Sequence, residues 1–170
     1  SEIGIPLTIL GISNAWNNPI MWLENIARGF ILIFGKKQSY PEWLILEVGI
    51  GKPGDIKNVA PWLAPDMVVI TRFPDVPVHV EFFPTVEDVI EEKSALAYAL
   101  KKDGVLILNH DDPKVYALCH KTKSRAVSYG MHDNATYRAT YWAYSYIKED
   151  NLDIAHGIHF LINTGGYSIN

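Results

Sequence analysis

One cysteine, Cys119, stands among 170 residues. No disulfide can form within the chain, and the sequence suits a reducing compartment. Cys119 itself reads as a small buried side chain on a helix. Long apolar runs are missing as well. None approaches the roughly 18 residues of a membrane span, and the nearest, residues 30–34, is closed by Gly35-Lys36-Lys37. A basic leader is lacking, so a secretory signal is not expected. The chain begins at Ser1 rather than Met, and both ends are expected to be cut from something longer. Positive charge is not in excess: 15 Lys and Arg against 19 Asp and Glu give −4, the reverse of the basic stripe a nucleic-acid surface requires. No GxxxxGK[ST] phosphate loop occurs, and around Gly49 and Gly51 the GxGxxG pattern is incomplete. Repeats and low-complexity tracts are absent.

What is present is an ordinary globular composition, 48% hydrophobic and 20% charged with mean hydropathy +0.02, long enough for one domain with a proper core. Short apolar runs alternate with helical patterns, the grammar of an α/β protein. Strands are expected over residues 43–48 (WLILEV), 67–71 and 104–108 (GVLIL), and over 125–129 with Gly130 closing it. The continuous run at 104–108 suits a parallel sheet covered on both faces. Residues 1–8 hold Gly4 and Pro6 and read as a loop or short extended segment. Residues 19–34 carry apolar positions at helical spacing, with Asn17 and Asn18 as caps, Pro19 in the first turn and Gly35 as the stop. This helix is expected to pack into the core, with Glu24 and Arg28 forming a solvated pair. A short helical piece is expected around residues 58–63.

A further helix follows residue 85, where Thr85 and Asp88 stand in capping-box relation. Val86, Val89, Ile90, Leu96, Ala97 and Leu100 trace its buried side. Lys93 lies near that stripe, and from spacing alone it reads as a lysine whose stem lies along the edge. Asn109-His110-Asp111-Asp112-Pro113 closes the third strand, and Asp112-Pro113 starts a helix through Cys119. The last third changes character. Residues 137–146 and 154–162 alternate as strands, and Asn163-Thr164-Gly165-Gly166 reads as a hairpin turn into 167–169. Its tyrosines and Trp142 are expected as half-buried strand packing. The whole is a mostly parallel sheet flanked by helices, with an antiparallel, strand-rich C-terminal part.

In such folds ligands sit beyond the carboxyl ends of the strands. Glu47 near the end of one strand, His79 in the Pro-punctuated loop after another, and Lys93 on the following helix could therefore converge from separate loops.

Four stretches, in order, carry a resemblance to a known family: SEIGIPLTIL (1–10), LEVGIGKPGDI (46–56), HVEFFPTVEDVIEEK (79–93) and GVLILNHDDP (104–113). Together they resemble the central domain of the Mur ligases, most closely the branch that adds D-alanyl-D-alanine to UDP-N-acetylmuramoyl-tripeptide. The resemblance implies a P-loop-NTPase-like central domain spanning 1–170. It implies a cytoplasmic enzyme that activates a carboxylate with ATP as an acyl phosphate and lets an amine attack it, in peptidoglycan precursor synthesis. Residue by residue, Glu47 and His79 match magnesium ligands, and two Mg²⁺ sites are expected in the full-length enzyme. Lys93 matches a lysine that the family carbamylates, which turns a cation into an anionic oxygen donor beside the metal. Asn109 matches the Asn-x-Asp-Asp position associated with the nucleotide.

Departures bear on these expectations. Arg72 to His79 reads RFPDVPVH where the family often has Asn-x-x-x-x-His, and Arg72 would touch phosphate or substrate, or lie on the surface. Ala95 stands where the family often has Glu. Residues 11–40 look like an insertion whose helix would cover the sheet or a neighbouring domain. The phosphate loop would precede residue 1, and the N- and C-terminal domains are missing, so this piece is expected to be inactive alone. Other Mur-type ligases, folylpolyglutamate synthase and a non-catalytic interaction module remain as alternatives.

Overall fold

The computed structural model describes residues 3–35, 40–75, 82–149, 152–164 and 168–169. Among the described residues, six strands form one sheet in the order β1-β2-β3-β4-β5-β6. β1 (Met67–Ile70), β2 (Val105–Asn109) and β3 (Arg125–Gly130) are parallel, and the start of β4 (Tyr137–Glu149) continues that direction beside β3. β5 (Leu152–Asn163) and β6 (Ser168–Ile169) then return antiparallel. The expected mixed sheet and its C-terminal appendage are both present.

Helices punctuate the strands. α1 (Gly4–Leu10) and α2 (Pro19–Phe34) precede the sheet, α3 (Asp55–Leu63) leads into β1, and α4 (Val86–Tyr98) connects β1 to β2. α5 (Pro113–Tyr116) runs into a 3₁₀ turn (Ala117–His120) before β3. The capping box forms as the sequence spells it: Thr85 Oγ1 accepts the N–H of Asp88, and Asp88 accepts the N–H of Thr85. Asn18 caps α2 in the same way, taking the N–H groups of Ile20 and Met21.

The core lies on one face of the sheet. Val68, Ile70, Leu106 and Leu108 point into it, and Phe73, Ala97, Val115 and Leu118 close it. In β1 and β2 every second residue is buried while the alternate ones are more exposed. β2 is therefore covered fully on one side only, not on both as its unbroken apolar run suggested.

Four further expectations are overturned. Helix α2 does not pack into the core: of its residues only Gly29 is buried, and Ile20, Leu23, Phe30 and Phe34 are exposed. Residues 4–10 are helical: Pro6 sits in the first turn, where its missing N–H has no intrahelical partner to lose. Residues 43–48 are not a strand. They make no ladder bonds, and Ile45 is 88% exposed, because a strand needs a partner and, among the described residues, β1 at the sheet edge pairs with β2 alone. Tyr40, Trp43, Leu44 and Leu46 instead line, with Met67 and Val69, a cleft of about 610 Å³ beside that edge. Finally, the aromatics of the β4–β5 ribbon are not half-buried: Tyr141, Trp142, Tyr144 and Tyr146 are all exposed.

Candidate functional site at the carboxyl ends of the strands

The carboxyl ends of β1, β2 and β3 are tied together by the polar residues that close β2. Asn109 donates from Nδ2 to the Thr71 carbonyl at 2.9 Å, and its Oδ1 accepts the N–H of Asp111. Asp111 accepts the N–H groups of Met131 (2.7 Å) and His132 (2.9 Å), just past β3. Asp112 caps α5 through Lys114 and Val115 and also takes the N–H of Phe73 at 3.0 Å. The turn-and-cap reading of this motif therefore holds for Asp112, and it extends to Asn109 and Asp111 as ties between neighbouring strand ends.

Gly130 is what lets Asp111 approach. A Cβ there, at φ +152°, would lie 2.7 Å from both carboxylate oxygens of Asp111. Burial pushes the Tyr129 hydroxyl above its ordinary value, and the neighbouring Asp111 charge adds to the shift. Behind this corner His110 is stacked between Tyr116 and His132, with ring centroids 3.9 and 4.2 Å away. Its Nδ1 is buried without a partner among the described residues.

These ties leave an open cleft of about 460 Å³ lined by Arg72, Asp75, Asn109, Asp111, Asp112 and Lys114. Asp75 accepts from Arg72 at 2.9 Å and lies 4.0 Å from Lys114. Because Asp111 and Asp112 already accept backbone N–H groups, the mobile charges of the cleft are Arg72, Lys114 and Asp75. Anion binding there would require Asp75 to release its partners.

A second polar cluster organises the glycine-rich segment before α3. Asp55 Oδ2 accepts the N–H groups of Gly51 (2.9 Å) and Lys52 (3.1 Å). Glu92 Oε1, from the middle of α4, accepts those of Ile56 (2.8 Å) and Lys57 (3.0 Å). Two carboxylates of the chain thus take up the donors that a phosphate cradle would need. Burial works to raise the Asp55 carboxyl, but the two donated N–H bonds and the Lys52 ammonium outweigh it and hold it below the ordinary value.

Sequence reading missed Asp55 and Glu92. The signal for Glu92 was available: it is three residues beyond Val89 and four before Leu96, a charge on the apolar side of α4.

The expected catalytic set is placed as follows. Glu47 is exposed, in the extended segment before Gly49. Lys93 is half-buried on α4, one residue past Glu92. His79 lies outside the described residues. Among the described residues no group of three His, Cys, Asp or Glu side chains is placed to hold a metal ion. Lys93 follows Glu92, whose carboxylate ties α4 to the start of α3, while Glu47 lies in the extended segment eight residues before α3. Among the described residues, no helix is long and apolar enough to cross a membrane.

Comparison with known proteins gives the fold and the site their context. The family model described as Mur ligase middle domain matches residues 25–166. A UDP-N-acetylmuramoyl-tripeptide–D-alanyl-D-alanine ligase of Mycobacterium leprae is 33% identical over 86 residues, 51% of this chain and 16% of that protein. Two crystal structures of MurF from Acinetobacter baumannii share the fold, with TM-scores of 0.55 and 0.56 at 16% identity over 69% and 71% of this chain. The chain spans 23% and 24% of those two structures' chains, about a quarter of their length. With the family model matching most of its length, this chain belongs to the Mur ligase family, within the middle domain.

Proposed function

We propose that this chain is part of an ATP-dependent amide-forming ligase that adds D-alanyl-D-alanine to UDP-N-acetylmuramoyl-tripeptide in cytoplasmic peptidoglycan precursor synthesis. The observation that carries the reading is the family match over residues 25–166, and the M. leprae relative supports the branch. The polar cleft beyond β1 and β2 lies where an open α/β sheet binds its ligand.

In this reading Glu47, His79 and a carbamylated Lys93 hold magnesium, and Asn109 stands at the nucleotide. The donor set fits in chemical type: carboxylate and carbamate oxygens are hard ligands, whereas an unmodified lysine ammonium has no lone pair to give. Magnesium supplies charge stabilisation for the transferring phosphoryl group. The residues of this chain build the frame around it: Glu92 ties α4, which bears Lys93, to the start of α3, and Asn109 fixes the end of β2 against that of β1. The 170 residues alone are proposed to be inactive, since the named relatives are about three times as long.

The test is phosphate release by the full-length protein carrying this chain, with ATP, Mg²⁺, UDP-N-acetylmuramoyl-tripeptide and D-alanyl-D-alanine. Release that needs both substrates, collapses in Lys93→Ala and responds to bicarbonate supports the reading. A folded protein that releases none under these conditions points to another Mur-type acceptor, to folylpolyglutamate synthesis, or to a non-catalytic module.

A further inference from the structure

Lys93 stands within the buried stripe of α4. Val89 lies four residues before it and Ala97 four after, and positions so spaced share one face of a helix. Val89 and Ala97 are 0 and 1% exposed, and Glu92 and Ser94, on either side of the lysine, are 2 and 1% exposed. Lys93 itself is half-buried. A lysine in such a place ordinarily takes a carboxylate as its partner. Glu92 is next to it in the chain but is engaged elsewhere. Its Oε1 accepts the N–H groups of Ile56 (2.8 Å) and Lys57 (3.0 Å) in the first turn of α3. Among the described residues Lys93 makes no ion pair.

The Glu92 contact has the properties of a device that places its neighbour. Helices α3 and α4 pack on one another, and α3 buries Ile56, Val59 and Ala60. Apolar packing of this kind is non-directional. Among the described residues, only the two bonds of Glu92 give the helices a polar register. Its donors are first-turn N–H groups, which have no acceptor within their own helix, and they sit at the positive end of the α3 dipole, where a carboxylate is favoured. Successive residues of a helix diverge by about 100°. With Glu92 held on α3, the direction in which α4 presents Lys93 is set.

We propose that Glu92 is a positioning residue for Lys93: by giving its carboxylate to α3, it fixes the face of α4 that bears the lysine and leaves the amine open to carbamylation. This rests on the carbamylated Lys93 of the proposed function. In that step Nζ bonds to the carbon of CO₂, and two protons of the ammonium pass to solvent. Glu92 touches neither CO₂ nor substrate, and acts through the backbone of α4.

Carbon NMR of the full-length protein in isotope-enriched bicarbonate, without nucleotide or metal, reads the carbamate directly. The unaltered protein is expected to show a carbamate resonance that Lys93→Ala lacks. Glu92→Asp keeps the charge but shortens the reach to α3 by one methylene, and its resonance should fall at least about fivefold. Glu92→Gln keeps the length and an acceptor oxygen, and should retain most of the resonance. Leu118→Ala opens a cavity in the core of the sheet and controls for lost stability; it too should keep the resonance. Circular dichroism confirms the fold of each variant. The proposal is overturned if folded Glu92→Asp carries as much carbamate as the unaltered protein, if Glu92→Gln loses as much as Glu92→Asp, or if Leu118→Ala loses as much as either. A resonance absent from the unaltered protein, or unchanged in Lys93→Ala, overturns the reading of Lys93 itself and this inference with it.

Discussion

Glu92, midway along α4, accepts the backbone N–H of Ile56 at 2.8 Å, thirty-six positions earlier. With Lys57 as its second donor, one buried carboxylate closes the N-terminus of α3 from across the fold. It also ties the helix that carries Lys93 to the start of α3. With Glu92 2% and Ile56 1% exposed, neither the carboxylate nor the Ile56 N–H can turn to water instead. Glu92→Ala should therefore cost about 2–3 kcal/mol, the range for hydrogen bonds to a buried charge plus the donors left behind. Glu92→Gln keeps an acceptor oxygen and should cost less. Urea unfolding of the three proteins measures both, and a Glu92→Ala midpoint equal to that of the unaltered chain would show that this tie carries no stability.

Asp55 gives the fold a pH dependence with a fixed sign. Its carboxyl is held below the unfolded value of 3.8, so the folded state prefers it ionised. That contribution is complete above the unfolded value and is lost as pH falls through the lower folded one. Below about pH 4 stability should decline, and Asp55→Asn should flatten the decline while lowering stability at neutral pH. Tyr129 acts at the other end. Its hydroxyl is raised above 10.0, so its contribution is present below that value and is lost as pH climbs through the folded one, a loss that Tyr129→Phe should remove. Denaturation midpoints across the acid and alkaline ranges read both.

Gly130 is fixed by its neighbour rather than by its own turn. Adding a methyl group there places it 2.7 Å from the Asp111 carboxylate, which is held in place by Met131 and His132. Gly130→Ala should cost about 1–3 kcal/mol through this overlap, on top of the strain of its positive φ. Thermal unfolding checks it. Gly4→Ala, whose new methyl meets nothing within 4 Å, serves as the neutral control.

How far the sequence carries is clearest at particular residues. Thr85 with Asp88, and Asp112 before Pro113, marked helix starts because a cap is a local device: donor and acceptor lie within three residues. The strands of the parallel sheet were legible as short apolar runs, and the late antiparallel ribbon as alternation. What was not legible depended on partners distant in the chain. The run at 43–48 has the composition of a strand, yet nothing in it says whether β1 will pair with it. The 3.6-residue period placed α2 correctly but could not tell which face the rest of the chain would cover. The ties made by Asp111 and Glu92 could not be read because their N–H donors lie 20 or more positions away. Glu47, His79 and Lys93 were singled out by their place beyond strand ends, and their roles as magnesium ligands and carbamylated lysine came from the resemblance.

Asp75 should act as a built-in competitor for whatever anion the strand-end cleft receives. It holds Arg72 at 2.9 Å and lies 4.0 Å from Lys114, and all three line the same opening as Asn109. Arg72, Asp75 and Lys114 are largely exposed, so the pairs contribute at most about 1 kcal/mol and the fold does not depend on them. Asp75→Ala should leave the unfolding midpoint nearly unchanged. It should tighten the binding of a nucleotide to the full-length protein by up to about fivefold, the equivalent of that 1 kcal/mol. Arg72→Ala should weaken binding, and in the double variant Asp75→Ala should no longer bring its full gain. Calorimetric titration with ATP distinguishes the outcomes. Unchanged affinity in Asp75→Ala would mean that Arg72 and Lys114 do not meet the phosphates, and the nucleotide would then have to be sought elsewhere along the strand ends.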